Sequence, residues 1–215
     1  MLESDNGIKR DNLLVISARF TGLHRHYYNF KTDLERSNAI ESVTASDYVP
    51  GIDHNRHPFI LNKGTDKEEL VFFPALYVMS DFGETYGLEF MAGRGFINNV
   101  NDEVESLIIN NEMIRYLGGG SASEFVGQRV STYGGNEQIV GVFGNFYPRT
   151  LINNPDPFII DLGRDADKSS FGKNFIAVRY KPGQREFALE QVNRLIYKYV
   201  GKKHVRINDY SEIYR

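Results

Sequence analysis

Two histidine-containing segments are the residues of this 215-residue chain best suited to metal chemistry. His24 and His26 flank an arginine, and His54 and His57 follow a Pro-Gly turn. Imidazole nitrogens are common zinc ligands, so the two segments together would supply four ligands if they met. However, residues two apart do not share a helix face, and the arginine beside each pair would add positive charge next to a cation. We therefore expect histidines on solvated loops.

Acidic residues form two further groups, but neither group carries a catalytic signature. Asp81 lies three residues before Glu84, and Asp102, Glu103 and Glu105 form a polar cluster. Glycoside hydrolysis needs two acids on either side of a cleft, which these polar segments do not specify. The chain also has no GxSxG nucleophile elbow and no GxxxxGK[ST] phosphate loop. The sequence predicts no enzyme: no catalytic residue, no cofactor-binding residue and no metal ligand.

Composition limits the class of partner and the covalent chemistry. Lys plus Arg (25) against Asp plus Glu (28) gives a net charge of −3, so no basic excess exists to neutralise nucleic-acid phosphates. The absence of cysteine excludes disulfides, thiolate metal sites and cysteine nucleophiles. The most apolar run, residues 70–79, contains Pro74 and is too short for a membrane helix of about 20 residues. We expect no nucleic-acid partner, and no membrane helix or signal peptide within the sequence.

Hydrophobic patterns predict strand–helix–strand units at both ends of the chain. The first unit comprises a strand at 12–20, a helix at 24–38 and a strand at 40–46. The second comprises a strand at 174–180, a helix at 185–200 capped by Gly201, and a strand at 205–208. The helix at 185–200 has an apolar stripe formed by Phe187, Leu189, Val192, Leu195, Ile196 and Tyr199.

The middle of the chain is richer in turns and predicts shorter elements. Strands are expected at 70–78, 107–110, 128–132, 137–143 and 158–161, and short helices at 80–86 and 112–117. Pro74 should break the first strand, which indicates an edge or a bulge, and Ser80 is the expected N-cap of the first short helix. A glycine pair at 134–135 predicts a hairpin. The whole pattern predicts an α+β fold with a β-rich insertion.

The stretch YGLEFMAGRGF (86–96) is the most informative segment of the insertion. Its alternating apolar residues predict a short strand. Gly93 and Gly95 mark positions of positive φ or of close backbone approach. Arg94, between them, is expected to tie the turn to the core rather than to bind a ligand.

This stretch is followed by LIIN (107–110), FVGQRV (125–130) and IVGVFGNF (139–146). Together the four segments resemble the extracytoplasmic domain of MacB/FtsX-type ABC transporter permeases. Gly95 departs from the acidic residue that is common at this place in that family. The resemblance covers residues 12–215 and is densest between residues 78 and 160.

The resemblance implies a fold, a location and a set of partners. It implies a porter-like subdomain formed by residues 1–62 and 172–215, which carries an inserted β-rich subdomain at 63–171. It places the domain on the periplasmic face of the inner membrane, anchored by membrane helices outside this sequence. Cytoplasmic ATP hydrolysis would then be coupled to substrate export, lipoprotein release or signalling to a partner.

The partners implied are a cytoplasmic ABC ATPase, a second permease in a homo- or heterodimer, and a periplasmic adaptor or lipoprotein. The alternative function is a stand-alone extracytoplasmic ligand- or metal-binding protein, for which the two histidine segments are the motivation.

Overall fold

A computed structural model describes residues 7–97, 106–132, 135–144, 156–162, 173–201 and 204–213. Its strands are β1 (Leu13–Ser17), β2 (Ile40–Ser46), β3 (Asn55–Leu61), β4 (Glu69–Val78), β5 (Phe90–Gly93), β6 (Ser106–Asn110), β7 (Arg129–Thr132), β8 (Gly135–Phe143), β9 (Ile159–Leu162), β10 (Phe175–Tyr180) and β11 (Ile207–Asp209). Its α-helices are α1 (Tyr27–Glu35), α2 (Phe82–Tyr86), α3 (Asn111–Tyr116), α4 (Ala122–Phe125) and α5 (Arg185–Val200). Single 3-10 turns cover Leu23–His26 and Tyr210–Glu212. Across these ranges, none of the helices has the length and apolar character needed to cross a membrane.

The strands form one continuous sheet, and most strands from the middle of the chain close into a barrel. The order is β11-β1-β10-β2-β4-β3-β7-β8-β6-β9, and β5 pairs with β8 outside this path. Because β4 also pairs in parallel with β9, the strands β4, β3, β7, β8, β6 and β9 form a closed barrel. The barrel joins the rest of the sheet where Ser46 of β2 faces Val78 of β4.

The two ends of the chain form the porter-like subdomain, an antiparallel sheet with helices on one face. Strand β10 is central in this sheet, between β1 and β2. Its side chains alternate between the two faces of the sheet. Ile176, Val178 and Tyr180 pack into a core with α1 and α5, whereas Ala177 packs on the opposite face. The predicted stripe of α5 is wrong at Phe187, which is 47% exposed, because Ala188 takes the buried position beside it.

The inserted β-rich subdomain has a core inside the barrel. Inward-facing residues of every barrel strand except β7 contribute buried side chains, and Met113 of α3 and Phe125 of α4 pack with them. Those barrel residues are Phe59, Phe73, Ala75, Leu107, Ile109, Ile139, Val142 and Ile159. The small helices therefore complete the apolar interior of the barrel.

A third core joins the two subdomains. It contains Leu13, Val15 and Ala177 from the porter-like sheet, together with residues on the outer face of the barrel such as Val140 and Ile160. Both faces of β1 and β10 are thus covered. Because both faces of β1 are buried, its sequence LLVIS is apolar at successive positions instead of alternating with polar residues.

Most predicted elements are confirmed. The strand at 40–46 and the helix at 185–200 have the predicted bounds, and Gly201 is the C-cap of α5. The hairpin is confirmed by antiparallel pairing of β7 with β8, although Gly134 lies outside the described residues. In the stretch 86–96, Phe90–Gly93 forms β5, and Gly93 has the expected positive φ of 73°.

Three expectations are wrong in detail, and one strand was not predicted. The helix expected at 24–38 begins as a 3-10 turn, and its α-helical part ends at Glu35. Asp81, not Ser80, occupies the N-cap position of α2, with a left-handed φ of 57° and no side-chain cap. Pro74 does not break β4, which is a continuous ten-residue strand. Strand β3 was not expected at all, because its sequence NRHPFIL combines a proline with polar residues.

Candidate functional site

Three ionisable side chains meet inside one end of the barrel. Nε2 of His57 lies 3.0 Å from Oδ2 of Asp161 and 3.5 Å from Oε2 of Glu137. The ligand atoms of all three residues lie within 4.8 Å of one another. All three residues are buried, with 4–7% of their surface exposed. We refer to His57, Glu137 and Asp161 as the His–Glu–Asp cluster.

The alternation of the barrel strands places these side chains together. Each member is two residues from a barrel-core side chain on its own strand; those core residues are Phe59 on β3, Ile139 on β8 and Ile159 on β9. Since side chains two apart point to the same face of a strand, the cluster continues the apolar interior as a polar layer. Closure of the ring between β4 and β9 is what brings Asp161 towards β3.

The imidazole of His57 is held on both sides. Its Nδ1 lies 3.2 Å from the carbonyl oxygen of Pro58, and its ring stacks on Tyr77 with centroids 5.9 Å apart. Burial alone lowers the pKa of His57, but the hydrogen bond to Asp161 and the charges of Asp161 and Glu137 outweigh it. The pKa of His57 is therefore raised above its ordinary value. The cluster can hold a proton or a cation between one imidazole and two carboxylates.

The predicted histidine segments do not converge. His24 and His26 lie in the 3-10 turn before α1, where His26 stacks on Tyr199 of α5 at 5.4 Å. His54 directs Nδ1 at the carbonyl of Asn55, 2.8 Å away. The described residues contain one group of three metal-ligating side chains, and His57 is its only member from the two segments.

The predicted acidic pairs do not form a catalytic arrangement in the part of the chain that the structure describes. Asp81 is paired with Lys31 at 2.9 Å, and Glu84 is exposed, although both line a cleft of about 360 Å³. Asp102, Glu103 and Glu105 lie outside the described residues. Arg94 is exposed and donates to the carbonyl of Gly95 at 2.9 Å.

Asp47 is a further buried carboxylate, at the junction of the two subdomains. Its Oδ1 accepts from the backbone N–H groups of Tyr48 (2.9 Å) and Tyr77 (3.0 Å), and its Oδ2 accepts from the amide of Asn55 (3.3 Å). Asn174 donates to its backbone carbonyl at 3.1 Å. Burial raises the pKa of Asp47 to about 6, although each of the hydrogen bonds to its carboxylate acts to lower it. This residue ties β4 and the start of β3 to the end of β2.

An open groove of about 780 Å³ lies between α1 and α5 on the outer side of the porter-like subdomain. Its lining includes Arg36, Lys181, Arg194 and Lys198, with Asp33 as the acidic residue. Asp33 binds Lys198 at 2.6 Å and the hydroxyl of Tyr199 at 2.7 Å, and so fastens α1 to α5. The excess of cations makes this groove attractive to anionic groups.

Comparison with known proteins gives matches among solved structures only. No family model matches the sequence. No curated protein matches it either. The periplasmic region of MacB from Actinobacillus actinomycetemcomitans superposes with a TM-score of 0.66 at 16% identity, over 99% of this chain and 94% of that one.

Two further structures share the architecture. The extracellular domain of the noncanonic ABC-type transporter YknZ from Gram-positive bacteria matches with a TM-score of 0.56 at 17% identity, over 84% of this chain and 87% of that one. A domain assigned to a permease protein from Porphyromonas gingivalis matches with a TM-score of 0.57 at 15% identity, over 93% and 91% of the two chains. The chain therefore has the α+β fold of the extracytoplasmic domains of MacB-type ABC transporter permeases.

Proposed function

We propose that this chain is the non-catalytic extracytoplasmic domain of an ABC transporter permease of MacB/FtsX type. The observation that carries the proposal is the shared fold with the periplasmic region of MacB, which extends over 99% of this chain and 94% of that region. In this role the domain couples ATP hydrolysis in the cytoplasm to substrate export, lipoprotein release or partner signalling outside the membrane.

The arrangement of the terminal strands supports this role. Strands β1 and β11 are antiparallel neighbours, and Leu14 faces Asp209 near the point where β1 begins and β11 ends. The start of β1 and the end of β11 therefore lie side by side. A domain placed between two adjacent membrane helices needs this geometry, because both connections must return to the same membrane surface.

The subdomain bounds of 1–62, 172–215 and 63–171 belong to the same proposal. The hydrogen bonds of β3 favour one adjustment to them, since β3 pairs with β4 and β7 inside the barrel. We place the first boundary near Asp47, where the chain leaves β2. The inserted subdomain then contains every strand of the barrel.

The proposed partners are a cytoplasmic ABC ATPase, a second permease subunit, and a periplasmic adaptor or lipoprotein. The domain reaches the ATPase only through membrane helices, so movement must be passed on mechanically. An apolar core shared by both subdomains suits this task, because it makes the domain a stiff lever.

Cysteine labelling tests the location. The chain has no cysteine of its own, so a single Lys63→Cys substitution, at the exposed tip between β3 and β4, provides one reactive thiol. We expect a membrane-impermeant maleimide to label it in intact spheroplasts that produce the full-length protein. Affinity purification of that protein should also recover an ATPase subunit or domain.

The buried Leu14→Cys variant is the matched control and should stay unlabelled before and after lysis, since Leu14 is 1% exposed. Labelling of Lys63→Cys only after lysis would place the domain in the cytoplasm and disprove the proposal.

A further inference from the structure

We propose that the His–Glu–Asp cluster binds a divalent transition-metal ion of the zinc type. The ligands are Nε2 of His57 and one carboxylate oxygen each from Glu137 and Asp161. This site differs from a pairing of the two histidine segments, because two of its three ligands are carboxylates from distant strands. It is also independent of the proposed transport role.

The hydrogen bonding of His57 creates the need for a cation. The carbonyl oxygen of Pro58 can only accept, so Nδ1 of His57 carries the hydrogen in that contact. A neutral imidazole then has a lone pair at Nε2, and this lone pair faces carboxylate oxygens of Asp161 and Glu137. Three electron-rich atoms at this separation are stabilised by a positive species between them, and a proton or a metal ion can fill that place.

The spacing of the atoms fits a metal ion. Two ligands at about 2.1 Å from Zn²⁺ and at a tetrahedral angle lie about 3.4 Å apart. The observed separations from Nε2 are 3.0 Å to Asp161 and 3.5 Å to Glu137. Small side-chain rotations would therefore complete three coordination bonds without a change in the strands.

The surroundings also match those of bound metals. A metal-ligating histidine usually donates its second ring N–H to a carbonyl or carboxylate, which fixes the orientation of the ring, and Pro58 fills that role here. One nitrogen and two oxygen ligands favour Zn²⁺ and similar ions over Mg²⁺ and Ca²⁺, which prefer oxygen alone. A divalent cation would balance the charge of the two buried carboxylates, whereas one proton leaves a net charge of −1 in the interior.

The ion would cross-link three barrel strands, β3, β8 and β9, at the barrel end nearest the junction. Tyr77, whose ring covers His57, precedes Val78, the residue that pairs with β2. The side chain of Asp161 is 11% exposed, which leaves a narrow approach for the ion. We expect the thermal stability of the chain to depend on the ion.

Metal titration of the purified chain after EDTA treatment tests the site. We expect one Zn²⁺ per chain by isothermal titration calorimetry, together with an increase in melting temperature. The isosteric Glu137→Gln and Asp161→Asn variants should each lose at least about 100-fold in affinity, since mutating a group that only orients a ligand already costs about 10–100-fold. The matched control, His54→Ala, removes a neighbouring histidine and should bind as the wild type does.

A second measurement does not depend on the folding of any variant. X-ray absorption of the Zn²⁺-loaded wild type should show one imidazole nitrogen and carboxylate oxygens at about 2.0–2.1 Å. Absence of Zn²⁺ binding to the stripped wild type would overturn the proposal. Binding that survives both carboxylate variants but is lost in a His24→Ala/His54→Ala variant would overturn it equally.

Discussion

Asp47 shows how burial and hydrogen bonding oppose each other at a single residue. Its carboxylate is 2% exposed, and its three contacts are neutral groups: two backbone N–H groups and the amide of Asn55. These donors stabilise the charged form, but burial favours the neutral form more strongly and raises the pKa to about 6. The junction therefore contains a carboxyl group that titrates in the mildly acidic range.

A pH-dependent loss of stability follows from this pKa. The ordinary pKa of 3.8 applies to the unfolded chain, so the folded chain binds more protons in the window between about pH 4 and pH 6. The contribution of Asp47 is fully present below that window and is lost as the pH rises through 6. We expect it to lower the free energy of unfolding by about 3 kcal/mol across the window. Urea unfolding at a series of pH values measures this change.

The Asp47→Asn variant is the control, because it removes the charge and keeps an oxygen for the two backbone N–H groups. Other carboxylates titrate in the same range, so the quantity to compare is the difference between the wild-type and variant curves. Equal slopes in the two proteins would show that Asp47 does not titrate in this window.

At the level of elements, close backbone contact holds β5 against β8. Gly93 pairs with Gly141, and both positions lack space for a side chain. A Cβ atom on Gly141 would overlap the carbonyl oxygen of Arg94, and one on Gly93 would overlap the carbonyl oxygen of Val140. Within the stretch 86–96, Gly93 therefore shows the close backbone approach that was predicted, whereas a Cβ atom on Gly95 would make only ordinary contact with Phe90.

We expect Gly141→Ala to destabilise the chain by about 1–3 kcal/mol, because the added methyl group must push β5 away from β8. Gly144→Ala, three residues further along, should be close to neutral, since nothing lies within 4 Å of the added carbon. Chemical denaturation of both variants gives the comparison. If both variants match the wild type, the tight approach of Arg94 to β8 is not required for stability.

Local patterns in the sequence predict the elements whose burial is regular. Strand β2 and helix α5 have the expected bounds because each has a clear apolar period and a recognisable end. Strand β3 escapes prediction because Pro58 and His57 interrupt its pattern, and its pairing with β4 and β7 has no local signal. Local patterns thus predict most of the strands and helices and the α+β class of the fold.

The His–Glu–Asp cluster could not be predicted in the same way. His57 and Asp161 are 104 residues apart, and they meet only because the barrel closes between β4 and β9. One local signal exists: Glu137 and Asp161 each stand two residues from an isoleucine, at positions where an apolar residue is expected. Inward-facing acids in otherwise apolar strands are a sign of a buried polar site.

At the scale of the whole molecule, the shared core decides how the subdomains move. The direct backbone link between the barrel and the porter-like sheet is short, since β2 and β4 pair only at Ser46 and Val78. The core around Val15, Ala177 and Ile160 nevertheless buries apolar surface from both sides. Separating the subdomains would expose this surface, so we expect them to move as one rigid body.

A disulfide across the junction tests this rigidity. The backbone N–H of Asp47 donates to the carbonyl oxygen of Tyr77, and the backbone N–H of Met79 donates to the carbonyl oxygen of Ala45. Ser46 and Val78 therefore form a non-hydrogen-bonded pair, whose Cα atoms lie about 4.5 Å apart. This separation suits a disulfide, and the chain has no other cysteine.

Relative to its reduced form, the oxidised Ser46→Cys/Val78→Cys variant should be more stable by about 3 kcal/mol. If the proposed function holds, oxidation in the full-length protein assembled with its ATPase should leave ATP hydrolysis unchanged. If oxidation instead stops ATP hydrolysis and reduction restores it, the two subdomains must separate during the cycle, and the rigid-lever description is wrong.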